Sequence, residues 1–163
     1  MKIPRLIPVG RDWALVDEED YEELKNRKWY QIGNYAKTKR QSNGLWVQMH
    51  RLIMGLDGYD RPWLDHRNGN TLDNRKANLR VCNGVENAAN KRKKFHAHPD
   101  RVTSSQYKGV TFKKSIKRWN ARISSNDGKR ISLGCYATEE EAARAYNQAA
   151  KARYGEFAQL NDC

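Results

Sequence analysis

The sequence predicts an α+β protein built from two small basic units. Three features carry that prediction. Short aromatic and β-branched runs are punctuated by Gly, Asn and Pro; three such runs near the C-terminus lead into one long alanine-rich helical segment; and a polar stretch without periodicity, "FHAHPDRVTSS", separates the two halves. At 163 residues the chain has room for one ordinary domain or two small ones.

In the N-terminal third, "WALVD" and "KWYQIGNYAKT" read as strands, "EDYEELKN" as an acidic helical turn, and "GLWVQMHRLIMG" as a further apolar run. Asn43-Gly44 is a hairpin signal, because a type I′ turn needs positive φ at both central residues. His50 then falls at the end of a hairpin strand or just beyond it. "WLDHRNGNTLDNRKANLR", residues 63–80, sets Asp65 beside His66 and follows them with Asn68, Asn70, Asn74 and Asn78. Next, "VCNGVENAANKRKK" predicts a helix with Val85, Ala88 and Ala89 on its apolar side and a basic end at Lys91 to Lys94, matched to the helix dipole.

The boundary is placed near Ser104, with residues 96–104 as linker. Beyond it, "YKGVTFKK", "KRWNARISS" and "KRISLGCYA" predict a three-stranded meander, with a hairpin turn at Asp127-Gly128. Thr138 and Glu141 form a Thr-x-x-Glu capping box. The helix that follows places Ala142, Ala145, Tyr146, Ala149 and Ala152 on one face and stops at Gly155. Alanine on that face allows close packing on the sheet, giving a βββα unit.

Charge points to the partner. The formal net charge is +12 and the pI about 9.8, so a polyanion is expected. Residues 1–60 carry ten basic against nine acidic side chains, residues 61–103 ten against four, and residues 104–163 eleven against six. The positive field therefore belongs to the last two-thirds. No run reaches the length of a membrane span and the first residues lack a secretory apolar region, so a soluble intracellular chain without membrane contact is expected. Cys82, Cys135 and Cys163 include no Cys-x-x-Cys pair, which argues against a disulfide framework and a thiolate zinc site.

By chemistry alone, the 63–80 stretch has two readings. Carboxylate, imidazole and amide oxygens suit Mg²⁺ or Mn²⁺ near a phosphate, with neutral imidazole as proton acceptor. The plain alternative is that Asn68, Gly69, Asn70, Asp73 and Asn74 form turns and His66 is an ordinary polar residue.

"MHRLIMG", "LDHRNGNTLDNRKANLRVC" and "ENAANKRKK", in this order and spacing, closely resemble the phage-type HNH homing endonucleases across residues 46–92. The resemblance implies a ββα-metal (His-Me finger) core with one divalent ion, Mg²⁺ or Mn²⁺, per site. It implies Asp65 as first metal ligand, His66 as general base, Asn78 as the asparagine that ties the loop, and Asn87 as second ligand, with Asn83 and Asn90 as alternatives. His50 matches an upstream histidine whose role is left between phosphate contact and packing. The implied reaction is hydrolysis of a DNA phosphodiester to 5′-phosphate and 3′-hydroxyl ends, in the cytoplasm of a bacterial or phage-infected cell.

Within Tyr107–Tyr136, eight Lys and Arg residues oppose one Asp, and "YKGVTFKK…KRWNARI…KRISLGCYATEEEAARAYNQAAKARYGEFAQLN" resembles the APETALA/ethylene-response-factor DNA-binding domain over residues 105–161. Lys108, Lys113, Arg118, Arg122, Lys129 and Arg130 are the expected contacts to double-stranded DNA, with Phe112 and Trp119 interleaved on the same sheet face. Thr111 and Ser132 depart from the plant pattern of arginine and tryptophan contacts, so plant target preference is not transferred. The expected organisation is an HNH domain with a β-rich lead-in at residues 1–95, the linker, and a DNA-binding domain at 105–163, as monomer or homodimer. The rival is a catalytically silent, sequence-specific DNA-binding regulator; an RNA binder has only charge and aromatics behind it.

Overall fold

The computed structural model describes residues 3–40, 42–58, 62–93, 104–125 and 127–163. They form two compact units, residues 1–84 and 85–163. The expected linker, residues 96–104, lies outside the described residues except for Ser104, as does Lys94 of the expected basic helix end.

The first unit begins with β1 (Arg5–Val9) and β2 (Asp12–Val16), an antiparallel hairpin turning at Gly10, whose φ of 66° suits glycine. Alternation buries Ile7, Val9, Ala14 and Val16 on one face. α1 (Glu18–Leu24) adds Leu24 to that core, and Trp29 packs beside it, its indole N–H donating to the Leu24 carbonyl at 2.9 Å. β3 (Tyr30–Ile32), β4 (Tyr35–Lys39) and β5 (Trp46–Gln48) form an antiparallel sheet in that order. α2 (Met49–Ile53) follows β5 directly and sends Met49 into the core. β6 (Trp63–His66) and β7 (Leu79–Cys82) are an antiparallel pair closed by the asparagine-rich loop.

Two readings of this region are corrected. "KWYQIGNYAKT" is two strands, split at Gly33 with φ of 63°. Asn43 lacks the positive φ of a type I′ turn. Its side chain instead accepts from the Leu45 N–H at 3.1 Å, while Arg40 and Leu45 close a longer loop. The apolar run after Gln48 turns helical, so His50 stands on α2.

In the second unit, α3 (Gly84–Asn90) precedes a sheet of β8 (Val110–Lys113), β9 (Arg118–Ser124) and β10 (Arg130–Tyr136), with β9 central. α4 (Glu139–Tyr154) opens with the Thr138/Glu141 capping box, both reciprocal bonds present, and ends at Gly155. Ala142, Ala143, Tyr146 and Ala150 are buried, and Val110, Ala121 and Ile123 form the sheet side of the core. Ala152, expected on the packed face, is exposed because the buried stripe runs through Ala143 and Ala150. The close approach has one strict requirement. A Cβ on Gly109, at φ 77°, would lie 2.1 Å from the Tyr146 ring and 2.7 Å from the Arg122 carbonyl oxygen.

Candidate active site and nucleic-acid interface

β6 and β7 set the register of the first site: Asp65 faces Arg80 and His66 faces Leu79. Both Asp65 and Arg80 are buried. Arg80 Nε and Nη2 donate to Asp65 Oδ2 at 3.0 and 2.8 Å, a compensated ion pair at the centre of the site.

The loop between the strands is held by side-chain amides, which replace the backbone ladder it lacks. Asn78 Nδ2 donates to the Asp73 carbonyl at 2.7 Å, and its Oδ1 accepts from the Asn68 N–H at 3.0 Å. Asn68 Nδ2 reaches Asp73 Oδ2 at 2.8 Å, and Arg75 clamps both Asp73 oxygens at 2.8 and 2.7 Å. That clamp is the main reason the Asp73 carboxyl is held below its ordinary range. Asn68 Oδ1 and Asn70 Oδ1 accept from the backbone N–H groups two residues on, the turn geometry expected of them.

Asn74 differs. It is 1% exposed, and its Oδ1 lies 3.3 Å from His66 Nε2. Its Nδ2 is directed to the Leu72 carbonyl at 3.2 Å and Met49 Sδ at 3.4 Å, which fixes the amide orientation. An oxygen acceptor on Nε2 assigns the ring proton there and the lone pair to Nδ1. Reading Asn74 as a mere turn former therefore misses its role in orienting the imidazole, because a buried contact to a strand eight residues away has no local signature.

His50 is buried against this ring, edge to face, with centroids 5.0 Å apart; Tyr35 lies 5.4 Å from His50 and 6.2 Å from His66. Burial, then the neighbouring His66, lowers His50 to about 3. Burial also lowers His66, opposed by Asn74 and Asp65. Both imidazoles are thus neutral near pH 7. The resulting group is an imidazole oriented by an amide, beside a carboxylate paired with an arginine. Among the described residues no three His, Cys, Asp or Glu side chains converge. Asn83 is exposed just after β7, while Asn87, half-buried, and Asn90, buried, stand on α3 in the second unit.

The first unit also presents an unforeseen surface. Exposed Tyr30 and Trp46 pack edge to face at 5.4 Å, with Lys28 and Lys39 over their respective rings at 5.5 and 5.4 Å. Beside them, Lys37, Arg40, Gln48 and Arg51 line a cavity of about 220 Å³.

In the second unit, strand alternation places Thr111, Lys113, Arg118, Asn120, Arg122, Arg130 and Ser132 on the face opposite the α4 core. Asn120, fully buried, is the pivot that the sequence did not single out. Its Oδ1 accepts from Arg122 Nε at 2.5 Å, and its Nδ2 donates to Ser132 Oγ at 3.1 Å and the Gly134 carbonyl at 2.8 Å. Trp119, with Phe112 5.0 Å from it, packs on the α4 side rather than interleaving with the arginines. Lys129 is exposed in the hairpin beside Asp127, at 3.2 Å. Lys108 has a different use. Its Nζ donates to the Ala89 and Lys91 carbonyls at 2.5 and 2.7 Å, closing the end of α3, and burial lowers it to about 8.

Residues 105–156 match the family model of the AP2 domain, a DNA-binding domain. Over 153 residues the chain is 31% identical to an uncharacterized HNH endonuclease of Acanthamoeba polyphaga mimivirus, covering 91% of this chain and 74% of that protein. The chain belongs to that HNH endonuclease family. Its AP2 domain is 44% identical over 61 residues to an AP2-like ethylene-responsive transcription factor of Arabidopsis thaliana, covering 37% of the chain and 12% of that protein. A dehydration-responsive element-binding protein of the same plant is 51% identical over 45 residues, covering 27% and 13%. The HNH family member thus spans about an eighth of these plant regulators and shares their DNA-binding module alone. No helix among its described residues is long and apolar enough to cross a membrane.

Proposed function

We propose that this protein is a divalent-metal-dependent DNA endonuclease whose AP2 domain positions it on the duplex. The observation that carries the proposal is the oriented, neutral His66 beside Asp65, in a chain of the HNH endonuclease family. With its proton on Nε2 held toward Asn74, His66 takes a proton from water at Nδ1. His50 and Tyr35 back the ring and keep water from its rear.

The donor chemistry fits a hard cation. Asp65 is a carboxylate at a strand end, and Mg²⁺ or Mn²⁺ commonly takes one or two carboxylates, completing its shell with water and phosphate oxygens. When bound, the cation supplies charge neutralisation at the scissile phosphate and the departing 3′ oxygen. Arg118, Arg122 and Arg130 contact the duplex, joined by Lys113 and Lys129, and Lys108 serves the fold. If about six phosphates are neutralised, affinity falls on the order of 10³-fold between 50 and 200 mM salt.

The test is incubation of supercoiled plasmid with the full chain and Mg²⁺. Nicked circles that a DNA ligase reseals without prior end repair are the expected product, since one site cuts one strand per event and leaves 5′-phosphate and 3′-hydroxyl ends. A second reading, a silent DNA-binding regulator, draws on the buried Arg80–Asp65 pair, which already neutralises the carboxylate. Retardation of DNA with no nicking in Mg²⁺ or Mn²⁺ selects that reading.

A further inference from the structure

We infer that the outer face of the sheet formed by β3, β4 and β5, in the first unit, is a second DNA-binding surface whose occupant is an unpaired DNA strand. Strand register builds this face. Ala36, Thr38 and Val47 point into the protein and are buried, so Lys37, Lys39 and Trp46 point outward, with Lys37 flanked by Tyr30 and Gln48 and Lys39 opposite Trp46. Tyr30 and Trp46 stand side by side at 39% and 45% exposure, an unpartnered surface rather than packing.

Charge decides the class of occupant. Lys28, Lys37 and Lys39 make no hydrogen bond or ion pair among the described residues, and their ammonium groups are free for a ligand. At the neighbouring cavity the cations are already committed: Arg40 to Asp57 at 2.8 Å, and Arg51 to the Leu56 and Pro62 carbonyls at 3.2 and 3.1 Å. Free ammonium groups beside aromatic rings fit a polyanion that also carries flat π faces, which is nucleic acid rather than an acidic protein. The AP2 domain brings the chain to DNA, so the strand is DNA. The rings decide its pairing state. In a duplex each base is covered by its neighbours and presents only edges, whereas an unpaired base offers a face to Tyr30 or Trp46, and the lysine 5.5 or 5.4 Å from that ring meets its phosphate. The same face runs on to the imidazoles through Tyr35, two residues before Lys37, whose ring lies 5.4 Å from His50 and 6.2 Å from His66. A strand held here is led toward His66, a consequence that rests on the endonuclease reading above.

The test measures binding of the full chain, in EDTA so that nothing is cut, to a short fluorescein-labelled DNA strand, to the RNA of the same sequence and to the DNA duplex. Trp46→Ala is expected to weaken single-strand binding about tenfold and duplex binding by less than about twofold, and Trp46→Phe, which keeps a ring, to recover most of the loss. Lys37→Gln combined with Lys39→Gln is expected to reduce the slope of log affinity against log salt for the single strand by about 1.4. A further readout needs no substitution and so stands where a variant fails to fold: the single strand is expected to shield Lys28, Lys37 and Lys39 from chemical acetylation, read by mass spectrometry, and the duplex is not. Equal weakening of single-strand and duplex binding in Trp46→Ala, or lysines left unshielded by the single strand, overturns the inference. Tighter Trp46-dependent binding of RNA than of DNA overturns the choice of DNA. None of these readouts involves cleavage, so failure here leaves the endonuclease reading intact, and a protein that never nicks DNA leaves this result unchanged.

Discussion

The two units solve the packing problem in opposite ways. In the second, alanines of α4 lie on Val110, Ala121 and Ile123, and the buried polar groups among the described residues are Asn90, Ser105 and Asn120. In the first, Thr38, His50, Asp65, His66, Asp73, Asn74, Asn78 and Arg80 are all buried. Buried polar groups are costly unless each finds a partner, and here amides, carboxylates and an arginine satisfy one another around His66. The second unit is organised for stability with a polar face outside. The first accepts polarity inside, where an imidazole and a carboxylate are held in fixed positions.

The largest expected effect tests the apolar side of this contrast. Gly109→Ala places a methyl group against Tyr146 and the Arg122 carbonyl in a left-handed conformation, and is expected to destabilise the second unit by about 3 kcal/mol or more. Hydrogen exchange resolved by segment should show protection lost in β8, β9 and α4 and retained in β1 and β2.

A smaller effect is expected from the polar side. Asn78→Ala removes the donor to Asp73 and the acceptor for Asn68, leaving the buried Asp73 carbonyl unsatisfied at about 2 kcal/mol. Thermal unfolding should register that loss, and nicking activity should fall further than stability does. A loss of stability with undiminished nicking would show that the loop is scaffold alone.

The smallest effect is graded and depends on pH. His50 is held at about 3 against an ordinary 6.5, so on acidification the unfolded chain takes up its proton first. The stabilisation is complete above 6.5 and is lost as pH falls from there toward 3, at no more than about 1.4 kcal/mol per pH unit. Denaturant titrations at pH 7 and 5 should show the first unit weakening and His50→Gln a shallower dependence. The second unit, with no histidine among its described residues, lacks this contribution.

What was legible in the sequence follows the same division. β8 to β10, the Thr138 cap and the stop at Gly155 were readable because turn residues, caps and alternation are local signals. α2 was not, because five residues at the end of an apolar run have no helical period to show. In the site, Asp65 and His66 stood out by residue type, and Asn78 through the resemblance to the HNH endonucleases. Arg80 and Asn74 did not, since one matters through cross-strand register and the other through burial. Lys108 and Trp119 mark the converse limit: charge and aromaticity in a strand do not say which face a side chain joins.

The central claim, that chemistry resides in the first unit while the AP2 domain holds DNA, is tested most directly by one pair of reactions. Wild type and His66→Ala, matched for duplex affinity by filter binding, are given supercoiled plasmid and Mg²⁺. Equal binding is expected, with nicking by wild type and a loss of roughly 10²–10⁴-fold in His66→Ala. Equal binding with equal nicking, or with none from either protein, would contradict that claim.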